Sequence, residues 1–265
     1  MDTDTGLRNE MNSVGQNLSS TDRAQITFQV RPGITFPDWS VVYSDKAKNA
    51  LLDIIEAFGF EKSFANYNPK TDQVHTSVLL YMAAHGRAPT IETLVELTGF
   101  TPSKTSQILT KLESKDLVVL DETTGSILGA YPITERKTEH LLEIGGRTIH
   151  AMCAIDALGA GSMFNADTKI ISSCRATGLP VIIELKENGV KLNSVDPETA
   201  IVWCGIQISN GCAADSLCSV LAFFSSDGAL EKWRSSENQD TPGDRLTLDE
   251  GIQVGRALFD PFLKT

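Results

Sequence analysis

The chain has no run near the roughly 18 consecutive apolar residues that a membrane span requires. Its opening Met1-Asp2-Thr3-Asp4 lacks the basic-then-apolar order of a secretory signal. Both absences lead us to expect a cytoplasmic protein with no membrane partner. Positive charge is scarce: 23 Lys and Arg stand against 34 Asp and Glu, for a net charge of -11. Such a surface repels phosphate backbones and anionic lipids, which argues against nucleic acid as a partner. Paired cysteines are missing too. The five cysteines are dispersed with no CxxC pair, which argues against a disulfide framework, and no close Cys or His pairs suggest a structural zinc site. Reduced thiols, available for chemistry, are the expectation.

What is present suffices for a folded protein of one large domain or two ordinary ones: 265 residues, 41% of them apolar. Residues 1–40 are rich in Ser, Thr, Asn, Asp and Gly and show no strand or helix period before Ile26 to Val30, so this segment reads as a disordered tail. From Asp45, Leu51, Leu52, Ile54, Ile55 and Phe58 recur at helical spacing and Gly59 supplies a stop.

Residues 41–140 read as a helical, winged-helix-like module. An apolar helix spans Ser77 to His85, a short one Ile91 to Leu97, and a third opens at Thr101-Pro102 with Ile108, Leu109 and Leu112 as its buried stripe. Leu117 to Leu120 and Ser126 to Pro132, joined across Thr124-Gly125, read as a wing hairpin. Such a module reads DNA by default, with Ser103, Lys104, Ser106 and Gln107 facing a groove. Yet residues 75–134 carry four basic residues against six acidic ones, the reverse of a DNA-reading face, so a structural or lid role is preferred.

Residues 141–265 switch to short β-rich runs with a few helices. Lys169 to Ser172, Val181 to Lys186, Gly189 to Val195, Ala200 to Gln207 and Val220 to Phe224 are the strand candidates, and short gaps between them predict antiparallel pairing. Thr247 and Glu250 form a capping box ahead of a helix whose apolar face is Leu248, Ile252, Gly255, Phe259 and Phe262. The whole is an α+β fold: the winged-helix-like module, then a mixed, mainly antiparallel β core with flanking helices.

The chemistry-bearing residues lie in this core. Cys153 sits near the start of a helical turn, Ala154 to Leu158, that Gly159 and Gly161 are expected to break. A helix N-terminus favours thiolate over thiol, and Asp156 at i+3 shares the helical face of Cys153. Cys218 is the second thiol of interest. Cys204 reads as a core residue, Cys212 as a candidate auxiliary thiol, and His150 as a partner of backbone. Met152, Leu158, Phe164 and Phe223 are nominated as pocket neighbours by their closeness in sequence.

Three segments extend this set: His150-Ala-Met-Cys153-Ala-Ile-Asp156, then Ser172-Ser-Cys174-Arg-Ala-Thr177-Gly178, then Cys218 ahead of Phe223-Phe224. In that order they resemble the organomercurial (alkylmercury) lyase family, over about residues 75 to 262. The resemblance implies that Cys153 and Cys218 are the catalytic cysteines, Asp156 the catalytic aspartate and Cys174 a structural cysteine. The implied reaction is protonolysis of a carbon–mercury bond, giving a hydrocarbon and Hg(II). Mercury is then held as substrate and product by Cys153, Cys218 and Asp156, with no resident cofactor. Reduced low-molecular-weight thiols or a mercury reductase would accept the product. The chain departs from the family in its longer N-terminus, in Met152 where an aromatic often precedes the first cysteine, and in Ser219 where some members have a second cysteine. Two other readings stay open: a thiol-based soft-metal-binding protein and a metal-responsive winged-helix transcription regulator.

Overall fold

The computed structural model describes residues 26–64, 67–207, 218–237 and 241–264. The first described residues form a hairpin, β1 (Phe28–Arg31) and β2 (Ile34–Phe36), which turns at Gly33 with φ 77°. Residues 28–36, expected to lie in a disordered tail over 1–40, are therefore ordered, and residues 1–25 lie outside the described residues. Composition misses the hairpin because the ordering depends on one side chain: Phe36 is fully buried, its ring 4.5 Å from Phe60, 4.8 Å from Phe64 and 5.8 Å from Phe262.

Helix α1 (Asp45–Phe58) buries Leu51, Leu52, Ile54 and Ile55 and ends at Gly59, whose left-handed φ of 67° forms the corner before α2 (Phe60–Phe64). Next come α3 (Pro69–His85), α4 (Ile91–Thr98) and α5 (Pro102–Glu113). Each is N-capped by a side chain, from Asn68, Thr90 and Thr101 respectively. Helix α3 begins ahead of the expected Ser77 because the Asn68 cap and Pro69 start it where the apolar period is still weak.

Strands β3 (Val118–Leu120) and β4 (Ile127–Ala130) form the expected hairpin, but it does not stand free as a wing. Strand β4 pairs with β5 (Ile133–Thr134). Beyond it lie β6 (His140–Ile144) and β7 (Arg147–Ala151). After helix α6 (Ala154–Met163) come β8 (Thr168–Ser173), β9 (Pro180–Lys186) and β10 (Lys191–Asp196). Together they make one antiparallel sheet in the order β10-β9-β8-β6-β7-β5-β4-β3. The sheet is continuous across residue 140. The fold is thus α+β with mainly antiparallel sheets.

A second sheet, in the order β12-β11-β13, is built from β11 (Ile201–Gly205), β12 (Leu221–Phe224) and β13 (Gly243–Leu246). Helix α7 (Asp227–Glu237) lies between β12 and β13 in sequence. Helix α8 (Leu248–Leu263) carries the expected capping box, with both Thr247 and Glu250 hydrogen bonds formed.

Helix α6 runs straight through Gly159 and Gly161 rather than breaking at them. The glycines are there for contact: a Cβ on Gly159 would sit 2.6 Å from the Gly255 carbonyl oxygen of α8, and one on Gly161 would sit 2.9 Å from Gly189 Cα. Helices α6 and α8 therefore cross with their backbones touching, which sets α6, and what it carries, firmly against the last helix of the chain.

Candidate active site

Strand β7 delivers the chain to Cys153, which has an extended backbone and is the N-cap of α6. Its sulfur accepts a hydrogen bond from the Asp156 backbone N–H at 3.4 Å, so the thiol does the work that a Ser or Asp commonly does at a helix start. Asp156 occupies the first turn of the same helix. Cys218 opens a short 3-10 turn, Cys218–Val220, that leads directly into β12, and it is thus aligned by the second sheet.

These three residues converge. One ligand atom from each lies within 4.8 Å of the others, and this is the one such group of metal-ligating side chains among the described residues. All three are buried, at 1%, 3% and 6% exposure for Cys153, Asp156 and Cys218. The Cys218 thiol points to Asp156 Oδ2 at 3.8 Å. Tyr131, from the β4–β5 connection, lines the site beside Cys218 and acts to lower its thiol pKa.

Burial dominates the electrostatics. It raises the Asp156 carboxyl to about 7, with hydrogen bonds from the two thiols and the Cys153 backbone opposing it. Burial, the Cys218 neighbour and Asp156 together hold the Cys153 thiol well above its usual value. For Cys218 the largest influence, the hydrogen bond with Cys153, pulls downward, yet burial and Asp156 leave it raised. The helix N-terminus expected to favour the Cys153 thiolate is therefore outweighed: in the free protein the lost hydration and the acid beside it count for more than the helix dipole. The resting site holds two thiols and a carboxyl poised near neutrality.

The remaining cysteines stand apart. Cys174 is buried and accepts from the Ser225 hydroxyl at 3.4 Å; burial works to raise its pKa, but hydrogen bonds from Ser225 and Thr177 prevail and leave it lowered. Cys204 lies buried in β11, where burial pushes its thiol far up. Cys212 lies outside the described residues. His150 accepts from the Thr138 backbone N–H at 3.4 Å, as expected.

The cluster faces a cavity of about 40 Å³. Its walls are not the residues nominated by closeness in sequence. Ile54, Phe58 and Phe60 come from α1 and α2, Leu117 and Tyr131 from around the hairpin, and Phe259 from α8. Phe223 instead packs edge-on against His140, 5.5 Å between ring centroids, and Met152 covers Gly129. Periodicity marks Ile54, Phe58 and Phe259 only as apolar helix faces, because tertiary folding alone brings them to the site. The one local sign was Gly59, the stop that turns Phe58 and Phe60 about a corner.

Two buried thiols and a carboxyl converging on an apolar cavity in an α+β fold define a protein built to handle a soft metal bonded to something apolar. Comparisons with known proteins agree. Residues 133–260 match the family model described as alkylmercury lyase. An alkylmercury lyase of Staphylococcus epidermidis is 31% identical over 180 residues, which is 68% of this chain and 79% of that protein. One of Streptomyces lividans is 27% identical over 185 residues, covering 70% and 81%. The crystal structure of the mercury-bound form of MerB2 superposes with a TM-score of 0.67 at 25% identity, over 77% of this chain and 97% of that one. The chain belongs to the alkylmercury lyase family.

Proposed function

We propose that this protein cleaves the carbon–mercury bond of organomercurials by protonolysis, with Cys153 and Cys218 as mercury ligands and Asp156 as the proton relay. The observation that carries the reading is the convergence of two buried thiols and a buried carboxyl within 4.8 Å. Thiolates are the protein ligands best matched to so soft a metal, and electron density donated by two of them weakens the bond from mercury to carbon.

The substrate arrives as an organomercury–thiol complex, R–Hg–SR′. One site thiol adds to mercury, passes its proton to the Asp156 carboxylate and displaces R′S⁻, which leaves with a proton from solvent. The second site thiol then adds to mercury and gives up its own proton to the medium. Asp156 returns its proton to the carbon as the C–Hg bond breaks. The balance is R–Hg–SR′ plus two cysteine thiols giving RH, Hg(II) held by two cysteine thiolates, and R′SH. A carboxyl near 7 suits both halves of this task, because it is neither too weak a base for a thiol proton nor too weak an acid for a carbanion-like carbon. Small thiols or a mercury reductase then draw off the metal by ligand exchange, since a two-thiolate complex does not release mercury to water. Asp156 favours the enzyme over a pure metal-binding protein, which has no use for a proton donor at its ligands.

Headspace gas analysis of reduced protein with methylmercury and excess thiol tests the proposal. Methane is expected from the wild type, and none from Asp156→Ala or Cys153→Ser. Full turnover by Asp156→Ala would remove the aspartate from the mechanism. Stoichiometric mercury binding without methane in the wild type would leave a soft-metal-binding protein.

A further inference from the structure

We infer that Phe58 is the specificity-determining residue of this site, and that it restricts the organic group on mercury to small alkyls. This inference rests on the lyase reading and adds the class of substrate. The cavity at the two thiols measures about 40 Å³, room for a methyl-sized group beside the metal but not for an aromatic ring unless the wall gives way.

The wall has an inner and an outer member. Phe60 is buried and its ring lies 4.5 Å from Phe36, so the core of the molecule fixes it. Phe58 stacks on Phe60 with 4.1 Å between centroids and planes within 12°, and meets Tyr131 edge-on at 5.8 Å. It is half-buried, the last residue of α1 before the left-handed Gly59 corner. Of the two stacked rings Phe58, half-buried, is the one that can yield to a larger group.

The wall also has a separate origin in the chain. Cys153, Asp156 and Cys218 fall within the residues that match the family model, 133–260, whereas Ile54, Phe58, Phe60, Leu117 and Tyr131 fall outside them. Much of the wall, though not Phe259, thus comes from a stretch of sequence separate from the one that carries the thiols and the carboxyl.

The test compares kcat/KM for methylmercury and phenylmercury, both presented as glutathione complexes, in wild type, Phe58→Ala and Phe58→Leu. The phenyl-to-methyl ratio is expected to rise about tenfold or more in Phe58→Ala, the scale on which apolar pockets discriminate by size, and by less in Phe58→Leu. A second readout needs no turnover: the ratio of phenylmercury to methylmercury affinity, measured in competition with glutathione, should move the same way. An unchanged ratio in both readouts, in variants that keep the wild-type thermal midpoint, would overturn the assignment. If the wild type releases no hydrocarbon from either compound, the lyase reading fails, and the affinity ratio still decides the role of Phe58.

Discussion

At the scale of single residues the site is a compromise between burial and charge. Asp156 is raised to about 7 when folded against 3.8 ordinarily, so the folded state binds the extra proton between those values. The stability this contributes is complete below pH 3.8 and is lost as pH rises through about 7. Above that pH the folded protein carries a buried carboxylate. Asp156→Asn should therefore be more stable than the wild type at pH 8, by up to a few kcal/mol at about 1.4 kcal/mol per unit, and the gain should vanish near pH 4. Urea unfolding of the metal-free protein at the two pH values measures it; equal stability at pH 8 would contradict the raised pKa. Cys153 and Asp156 were legible in the sequence as a pair, because i,i+3 spacing on a helical turn is local geometry. Cys218 was legible through resemblance alone, since 62 residues separate it from Asp156. The balance that keeps Cys153 a thiol is not legible in the sequence, which displays the helix start but not the depth at which it lies.

At the scale of elements, the crossing of α6 and α8 is the mechanical support of the site. The would-be Cβ of Gly255 meets Gly159 N at 2.7 Å and Gly159 Cα at 2.9 Å. Backbone atoms have no rotamer in which to retreat. Gly255→Ala should cost about 1–3 kcal/mol or more through overpacking, against the slight gain that Gly→Ala gives in an unencumbered helix. It should also slow turnover, because α6 carries Cys153 and Asp156; a urea midpoint equal to wild type would show that the helices can separate. Sequence indicated α8 well, from its capping box and apolar stripe. It failed on α6, where two glycines looked like breakers: local propensity cannot see a second helix arriving. Similarly, the β3–β4 hairpin was legible from Thr124-Gly125 and its alternating flanks, but not its incorporation into an eight-stranded sheet, which depends on strands β5 and β7.

Over the whole molecule one side chain does much to tie the ends of the described chain together. Arg31 in β1 makes a two-pronged ion pair with Asp72 of α3, both contacts at 2.7 Å, and donates to the carbonyls of Pro261, Phe262 and Lys264 at the end of α8. Arg31→Met leaves those carbonyls without this donor and Asp72 with the Tyr67 hydroxyl but no ion pair, at an expected loss on the order of 2 kcal/mol; a smaller change in the urea midpoint than the Gly255→Ala change would rank the clamp below the helix crossing. Two buried histidines set the acid limit. Burial lowers His75 to about 4 and His140 to about 3. Their neutral forms contribute stability above pH 6.5 that is lost as pH falls through those values. Replacing both by Asn should flatten the stability profile between pH 6.5 and 4, which a series of urea melts would record.

The narrow, apolar cavity has a consequence for the endurance of the enzyme in oxidising surroundings. Two neighbouring thiols in an open cleft invite peroxide and close on each other as a disulfide. Here the oxidant must reach buried sulfurs, and it then meets thiols rather than the thiolates through which such oxidation proceeds. The ring proposed to limit substrate size is thereby also expected to slow oxidation of the thiols. Phe58→Ala should thus lose activity to hydrogen peroxide faster than the wild type, so that breadth of substrate and working lifetime are opposed in this fold.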